Sequence, residues 1–268
     1  MLGSPIAHSL SPFLHRAAYR ALGLHGWRYD MIECDEAGLP GLLDGLDASW
    51  AGLSLTMPLK KAVLPLLDEV SELAATTGGA NTVVFRDGRR HGDNTDVYGI
   101  VTALAEAGVR RPGSATVLGG GATAASALAA LRELGLAEAT LVVRNPARTG
   151  DVRKTADRLG MSLRVRTFAD LRPDELVIST LPAGAADPFA PVLAGAPAVL
   201  DVVYAPWPTA LARAVTRAGG LVVGGFPMLL HQAVRQVELM TGRTDVPVEA
   251  MRAAGETEIL RRQRSASG

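Results

Sequence analysis

Apolar and polar positions follow two alternating patterns along the chain, short apolar runs and longer stretches of helical period. From residue 114 onward the apolar runs contain few polar residues, which is typical of parallel strands covered on both faces. These runs lie at 114–121, 139–144, 175–182, 198–204 and 219–225. Helical stretches separate several of them, and strands that alternate with helices predict βαβ units in a doubly wound parallel sheet.

The first part of the chain carries a different α/β pattern, with clusters of polar residues at the ends of its elements. Residues 27–33 alternate like a strand, and residues 52–57 predict another. The sequence NTVVFRDGRRHGDNTD at 81–96 predicts a β-hairpin with Asp-Gly at its tip. We therefore expect an N-terminal α/β domain with a mixed sheet.

Two serines stand directly before the first predicted helix. Ser11 is a good N-cap, Pro12 suits the first helical position, and Gly23 suits the C-terminal stop. Ser9 has no capping role in this arrangement. Because free N–H groups point outward at a helix N-terminus, this second hydroxyl could help hold an anion such as a carboxylate, and the rest of the chain decides whether it does.

Composition shifts near residue 97 and again near residue 226, and these shifts predict two domains. The segment 97–226 is interpreted as a nucleotide-binding domain, and a long helical stretch begins at 227. The polar tail RRQRSASG at 261–268 is expected to be disordered. The opening MLGSPI is interpreted as the end of a strand whose first residues are missing.

Charge and cysteine content exclude several classes of protein. The chain has 27 basic and 27 acidic side chains, so nothing in its net charge favours nucleic acid or an acidic membrane surface. Cys34 is the only cysteine, which excludes an intrachain disulfide and favours a reducing compartment. The sequence shows neither a transmembrane run nor a secretory signal pattern, so we expect a cytoplasmic protein. The five histidines show no metal-ligand spacing, and no metal site is predicted.

The sequence VLGGGATAA at 117–125 fits the G-x-G-x-x-A fingerprint, with a strand before it and a helix after it. Its glycines allow the backbone to approach a pyrophosphate, and the helix N-terminus supplies N–H groups. Arg144 follows the second strand directly and Arg148 comes four residues later, with no acidic residue between them. Arginine in this place suits the 2′-phosphate of NADP, although Arg148 fits equally well as a solvated helix residue.

Polar residues at several element ends indicate the lining of a cleft. Thr56 and Lys60 flank Pro58, Asn81 opens a strand, and Asp96 stands at a strand-to-helix junction. Taken singly, asparagine and aspartate at such junctions are ordinary caps. Taken together, and beside a cofactor domain, they favour a binding site. A ketone that accepts a hydride needs a proton donor, and an ammonium held by a carboxylate supplies one, so we expect Lys60 and Asp96 to act as a pair.

A series of motifs then identifies a family resemblance over nearly the whole chain. In order they are GSPIAHSLSPFLH, GLSLTMPLK, GANTVV, GDNTDVYG, VLGGGATAAS, STLPAG, DVVYAPWPTAL and GGFPMLLHQAV. Their order and spacing resemble those of shikimate dehydrogenase. The resemblance implies an oxidoreductase that interconverts 3-dehydroshikimate and shikimate with NADPH in aromatic amino-acid biosynthesis. It also implies a substrate-binding and catalytic domain at 1–96, completed by helices at 227–260, and a Rossmann-like NADP-binding domain at 97–226.

The resemblance further implies roles residue by residue. Lys60 would be the catalytic acid and base, with Asp96 bonded both to it and to a ring hydroxyl. The substrate-binding residues would be Ser9, Ser11, Thr56, Lys60, Asn81, Asp96, Tyr204 and Gln232. The cofactor-binding residues would be Gly119, Gly120, Gly121, Ala122, Thr123, Ala124, Arg144, Asn145, Arg148, Thr180 and Gly225. The family commonly has asparagine where Ser54 stands.

Two other functions remain open at the level of the sequence. A quinate or quinate/shikimate dehydrogenase that uses NAD or NADP has the same fold and the same pair. Threonine often replaces Ser11 in quinate-preferring relatives, so the serine favours shikimate. A non-catalytic relative that binds nucleotide and regulates is the second alternative, and Lys60 and Asp96 argue against it. A monomer and a homodimer are both compatible with the sequence.

Overall fold

A computed structural model of the chain describes residues 1–267. The contacts divide the chain into two compact units. Unit 1 comprises Met1–Thr95 together with the chain from Leu229 onward, and unit 2 comprises Asp96–Met228. The chain thus leaves unit 1 after Thr95 and returns to it at Leu229. The fold by itself does not test which ligand each unit binds.

Strands and helices alternate through both units. The strands are β1 (Leu2–Gly3), β2 (Ile32–Glu33), β3 (Gly52–Ser54), β4 (Glu69–Val70), β5 (Thr82–Arg86), β6 (Arg89–Asp93), β7 (Ala115–Leu118), β8 (Glu138–Val142), β9 (Ser162–Arg166), β10 (Leu176–Ser179), β11 (Ala198–Asp201) and β12 (Leu221–Val223). The α-helices are α1 (Ser11–Ala21), α2 (Leu39–Asp44), α3 (Leu59–Ala62), α4 (Glu72–Thr77), α5 (Asp96–Glu106), α6 (Ala122–Glu133), α7 (Gly150–Arg158), α8 (Ala190–Leu193), α9 (Ala210–Arg217), α10 (Gly225–Thr241) and α11 (Val248–Ser267).

Unit 1 contains a four-stranded mixed sheet with the order β3-β5-β6-β4. β3 and β6 run antiparallel to β5, and β4 runs parallel to β6. The β5–β6 hairpin turns at Asp87 and Gly88, whose φ values of 52° and 71° are those of a type I′ turn. The predicted hairpin with Asp-Gly at its tip is therefore confirmed. Leu53, Leu59 and Val83 belong to the buried core cluster of this unit, so apolar packing anchors β3, α3 and β5 together.

The strand predicted at 27–33 is much shorter than expected. β2 has only two residues because its parallel partner β1 also has two. Farther upstream the backbone has a side-chain partner instead of a strand, since the Tyr29 carbonyl accepts hydrogen bonds of 3.0 and 2.7 Å from the Arg16 guanidinium. The alternation of polar and apolar residues that predicts a strand at 27–33 therefore extends beyond the two residues that pair with β1.

Unit 2 contains a six-stranded sheet with the order β12-β11-β10-β7-β8-β9, and all its pairs are parallel. The order reverses between β7 and β10, which makes their carboxyl ends the topological switch point. Helices α5, α6 and α7 pack side by side, and α8 packs on α9. Apolar residues from four strands, Leu118, Val142, Val177 and Val199, join one buried cluster. The predicted doubly wound parallel sheet is confirmed.

The prediction of a disordered tail at 261–268 differs from the structure, in which α11 continues to Ser267. The buried carboxylate of Glu258 accepts hydrogen bonds of 2.7 and 2.8 Å from Arg261 and one of 2.6 Å from Arg262. These pairs at i+3 and i+4 support the helix where its sequence is otherwise polar. Residue 268 lies outside the described residues.

This cluster predicts an acid-sensitive contribution to stability. The hydrogen bonds from Arg261 and then Arg262 lower the pKa of Glu258 from 4.5 to about 2. Because the folded state favours the ionised carboxylate, its contribution is complete above about pH 4.5 and is lost as the pH falls toward 2. Glu258→Gln is expected to lower the free energy of unfolding at neutral pH by about 1 kcal/mol. Thermal unfolding followed by circular dichroism at several pH values should show the two proteins converging below pH 4.5; a constant difference would contradict this assignment.

Candidate active site

Ser9 and Ser11 lie together at the start of α1, but their local roles are reversed from the prediction. Ser11 is the first helical residue, Leu10 occupies the N-cap position, and no side chain caps the helix from there. The predicted N-cap role of Ser11 is wrong because Leu10 already has right-handed helical φ and ψ, so the helical turn begins one residue earlier. Ser9 has the local contact instead, since its Oγ accepts a hydrogen bond of 3.2 Å from the Ser11 N–H. Pro12 consequently stands at the second helical position.

The last helix of unit 1 holds the loop that carries these hydroxyls. Arg262 donates a hydrogen bond of 2.6 Å to the His8 carbonyl and one of 3.3 Å to the Ser9 carbonyl. Its guanidinium also lies 5.6 Å from the centre of the Phe13 ring. Glu258 orients the guanidinium, so the two carbonyls have a fixed donor. Sequence reasoning missed this support because the tail was expected to be disordered, although the Glu-Arg spacing at i+3 and i+4 was a usable signal.

Asn81 lies buried just before β5, with its amide group held in one orientation. Its Oδ1 accepts hydrogen bonds of 2.8 Å from both the Thr95 N–H and the Thr82 hydroxyl. Its Nδ2 donates to Thr95 Oγ1 at 2.9 Å and lies 3.5 Å from Gln232 Oε1. A backbone N–H can only donate, so the Thr95 amide fixes which end of the Asn81 side chain is the acceptor. The structure therefore brings together two predicted hydroxyl-reading residues, Asn81 and Gln232.

A second glutamine on α10, Gln236, lies one turn beyond Gln232 and is almost fully buried. Its Oε1 accepts a hydrogen bond of 2.8 Å from the Ser54 hydroxyl and lies 3.2 Å from His15 Nε2. Its Nε2 donates to the Asn81 carbonyl at 3.2 Å and to Thr82 Oγ1 at 3.0 Å. Gln236 was not among the predicted site residues. The sequence signal that could have found it is the i+4 spacing from Gln232 on an otherwise apolar helix face.

His15 is neutral within this network. Burial lowers its pKa to about 3, and the contact with Gln236 only partly opposes that effect. The Nε2 atom faces an oxygen acceptor and the Nδ1 atom lies 3.3 Å from the Tyr19 hydroxyl, so we assign the proton to Nε2. The ring stacks on Tyr29 at a centroid distance of 4.0 Å. Burial raises the pKa of Tyr29, and hydrogen bonds with Ser54 and Ser11 oppose that rise, so the network reaches the start of α1.

Lys60 and Thr56 lie on the segment that follows β3. Lys60 is a half-buried residue of α3, and its carbonyl accepts a hydrogen bond of 2.8 Å from the Ala80 N–H. That bond joins α3 to the residue directly before Asn81. Thr56 is also half-buried, and its N–H donates to the Leu2 carbonyl at 2.9 Å. Backbone pairing therefore places both predicted side chains next to strand ends of unit 1.

The glycine turn of unit 2 has the backbone that the fingerprint requires. Gly119 has a φ of +105°, and a Cβ there would lie 2.5 Å from Thr180 Oγ1. Thr180 in turn donates a hydrogen bond of 2.7 Å to the Leu118 carbonyl, which closes the switch point between β7 and β10. Gly120 and Gly121 are exposed, and α6 begins at the next residue. This exposed turn at a helix N-terminus fits a dinucleotide pyrophosphate.

The segment after β8 presents two arginines to solvent. Arg144 and Arg148 are both exposed. Asn145 stands between them, and its Oδ1 accepts a hydrogen bond of 3.0 Å from the Ala147 N–H, so its side chain caps the short turn at Pro146–Arg148. The carboxyl end of β8 thus offers cationic groups, which suits a 2′-phosphate rather than a bare ribose hydroxyl.

Two predicted substrate residues, Asp96 and Tyr204, belong to unit 2, whereas the other predicted substrate residues belong to unit 1. Gly225, a predicted cofactor residue, also belongs to unit 2. Asp96 is the buried first residue of α5, and Tyr204 is half-buried after β11. Gly225 begins α10, where a Cβ would lie 2.0 Å from the Val202 carbonyl oxygen, so only glycine permits this close backbone approach. The roles of Asp96 and Tyr204 toward a substrate stay predictions.

Among residues 1–267 no group of three or more histidine, cysteine, aspartate and glutamate side chains is arranged to hold a metal ion. Within the same residues, every helix is too short or too polar to span a bilayer.

Comparison with known proteins gives consistent results. A family model described as the shikimate dehydrogenase substrate binding domain matches residues 1–83, and one described as the shikimate 5′-dehydrogenase C-terminal domain matches residues 225–254. The chain is 34% identical to a shikimate dehydrogenase (NADP(+)) of Methanothermobacter thermautotrophicus, across 95% of this chain and 94% of that protein.

Solved structures show the same relationship. The structure of Mycobacterium tuberculosis shikimate dehydrogenase is 46% identical with a TM-score of 0.88, and the match covers 96% of this chain and 97% of that one. The structure of shikimate 5-dehydrogenase from Thermus thermophilus in complex with NADP(H) and shikimate is 34% identical with a TM-score of 0.84. That match also covers 96% of this chain and 97% of the other.

Proposed function

The chain belongs to the shikimate dehydrogenase family, and from that premise we propose that it transfers hydride reversibly between NADPH and 3-dehydroshikimate to give shikimate. The reaction is a step of aromatic amino-acid biosynthesis. The observation that carries the proposal is the buried cluster in unit 1 that holds Asn81, Gln232 and Ser11 in one polar network. A polyhydroxylated ring with one carboxylate needs this combination of hydroxyl and amide donors.

Substrate recognition follows from the polarity of these groups. The Ser9 and Ser11 hydroxyls stand at the positive end of α1, where a carboxylate is stabilised. Asn81 is oriented with its Nδ2 as the donor, and Gln232 offers an amide next to it, so the pair can read ring hydroxyls. Thr56 and Tyr204 are assigned to the carboxylate as well.

Lys60 is assigned the proton transfer. In the reduction direction its ammonium donates a proton from Nζ to the ketone oxygen, which would otherwise carry negative charge. In the oxidation direction the same nitrogen, in its neutral form, accepts the hydroxyl proton. Asp96 is assigned to orient that nitrogen and to accept a hydrogen bond from a ring hydroxyl. NADP, when bound, supplies or accepts the hydride.

The coenzyme is assigned to unit 2. The turn Gly119–Ala124 and the start of α6 would hold the pyrophosphate, and Arg144 would hold the 2′-phosphate, with Arg148 and Asn145 beside it. Thr180 shapes the turn through its bond to Leu118. The geometry of Gly119 and the exposure of the two arginines support this assignment.

Shikimate is favoured over quinate because of the surroundings of Ser11. Quinate carries an extra hydroxyl near its carboxylate. Ser11 is 2% exposed and has Tyr29 as a hydrogen-bonding neighbour, so little space is left beside its hydroxyl. We expect a side chain packed in this way to disfavour the bulkier acid.

The test is a side-by-side assay of shikimate and quinate with NADP⁺ and NAD⁺, followed by the nicotinamide absorbance. Shikimate with NADP⁺ is expected to give the highest kcat/KM, by about 100-fold over quinate with NAD⁺, since both the hydroxyl and the phosphate contacts differ. Comparable or faster turnover of quinate would favour the quinate/shikimate alternative. Coenzyme binding without any turnover would favour a regulatory protein.

A cytoplasmic location is part of the proposal, supported by a single cysteine, Cys34, that is buried and has no partner in the chain for a disulfide. The proposed oligomeric state is either a monomer or a homodimer. Size-exclusion chromatography with light scattering at assay concentration distinguishes the two.

A further inference from the structure

Gln236 connects three elements of unit 1 through one amide group. From α10 it contacts Ser54 at the end of β3, the Asn81–Thr82 segment at the start of β5, and His15 on α1. Both of its polar atoms make two contacts each, and the side chain is 2% exposed. An amide is the one uncharged group that can donate and accept in this way, so neither an apolar nor a cationic residue can replace these contacts.

The contacts of Gln236 converge on Asn81. Its Nε2 donates to the Asn81 carbonyl and so fixes the backbone from which that side chain extends. The same Nε2 donates to Thr82 Oγ1, which has only one proton of its own. With a donor already on its oxygen, the Thr82 hydroxyl directs that proton to Asn81 Oδ1 at 2.8 Å. Gln236 therefore fixes the backbone at Asn81 and, through Thr82, adds a second donor to the amide oxygen that the Thr95 N–H already orients.

We propose that Gln236 is a positioning residue for substrate recognition, which acts through Asn81 by fixing its backbone and, through Thr82, by supporting the amide orientation that the Thr95 N–H also holds. The proposal rests on the proposed function, in which Asn81 reads a ring hydroxyl of shikimate. Gln236 does not itself contact the substrate. Its neutral neighbour His15 keeps the surroundings uncharged, so an uncharged amide suits this place.

The first experiment separates the substrate from the coenzyme. Gln236→Met keeps the length of the side chain and removes its hydrogen bonds. It is expected to raise the KM for shikimate about tenfold, because a tenfold loss of affinity corresponds to the loss of about one well-oriented hydrogen bond. The KM for NADP⁺ and kcat should stay within about twofold, because neither the turn in unit 2 nor Lys60 has lost a contact.

Val237→Ala is the matched control. Val237 is the next residue of α10, is fully buried and is apolar, so its truncation loosens the same helix without touching Asn81. If the helix acts only as structural support, both variants should raise the KM for shikimate equally at equal loss of melting temperature. Equal increases would overturn the proposal.

A double-mutant cycle tests the route through Asn81. If Gln236 acts by positioning Asn81, Gln236→Met should change the KM for shikimate by less than about twofold in an Asn81→Ala background. An undiminished effect in that background would also overturn the proposal. Should Gln236→Met fail to fold, Thr82→Val serves in its place, since it keeps the shape of the side chain and removes the hydroxyl between Gln236 Nε2 and Asn81 Oδ1. An unchanged KM for shikimate in that variant would then overturn the proposal. Absence of shikimate turnover by the unaltered protein would instead refute the proposed function, before any variant is compared.

Discussion

Replacing Lys60 by alanine is expected to lower kcat for shikimate oxidation by about 10³-fold, within the range typical of a lost general acid or base. The alcohol proton would then lose the acceptor that the proposed mechanism assigns to it. The KM for shikimate should change less than about fivefold, because the groups proposed to hold the carboxylate (Ser9 and Ser11) and the ring hydroxyls (Asn81 and Gln232) are unaltered. Initial rates at varied shikimate and saturating NADP⁺ measure both constants.

Lys61 provides a matched control in the next position of the chain. It has the same charge and lies on the same four-residue helix, but its side chain is exposed. Lys61→Ala should therefore retain kcat within about twofold, which shows that the net charge of α3 is not the cause. Equal activity of Lys60→Ala and the unaltered protein would remove Lys60 from the mechanism, whatever substrate binding shows.

The local parts of the fold could be predicted from the sequence because their causes lie within a few residues. The apolar runs gave the parallel strands of unit 2, since strands covered on both faces need no polar alternation. The Asp87–Gly88 turn and the Gly119 turn depend on residues that tolerate positive φ, and such residues are recognised from their type alone. Lys60 follows β3 and Asn81 precedes β5, and both places could be predicted because the strand patterns themselves are local.

The contacts that complete the candidate site could not be predicted in this way. Gln236 meets Ser54 across 182 residues of chain, and Arg262 meets the Ser9 carbonyl across 253. Periodicity describes only the face on which each side chain lies and cannot name its distant partner. The capping error at Ser11 has a different cause, because a shift of one residue in the start of α1 moves the polar contact to Ser9.

The second large effect is expected for the preference of the enzyme for NADP⁺ over NAD⁺. Arg144→Ala is expected to raise the KM for NADP⁺ about 50-fold, because a hydrogen-bonded ion pair between a guanidinium and a phosphate dianion is lost. The KM for NAD⁺ should stay within about twofold, since that coenzyme has no 2′-phosphate to contact. The two coenzymes are titrated in turn at saturating shikimate, and the ratio of their kcat/KM values is compared with that of the unaltered protein.

Arg148→Ala decides between the two interpretations of the second arginine. A solvated residue would leave the coenzyme ratio unchanged, whereas a second phosphate ligand would lower it by about tenfold. Asn145 caps the intervening turn and holds both arginines on one short segment, so the two substitutions test neighbouring positions under the same backbone constraint. Phosphate specificity that survives the loss of both guanidinium groups would contradict the assignment of this segment to the 2′-phosphate and would require another cation of unit 2 to hold it.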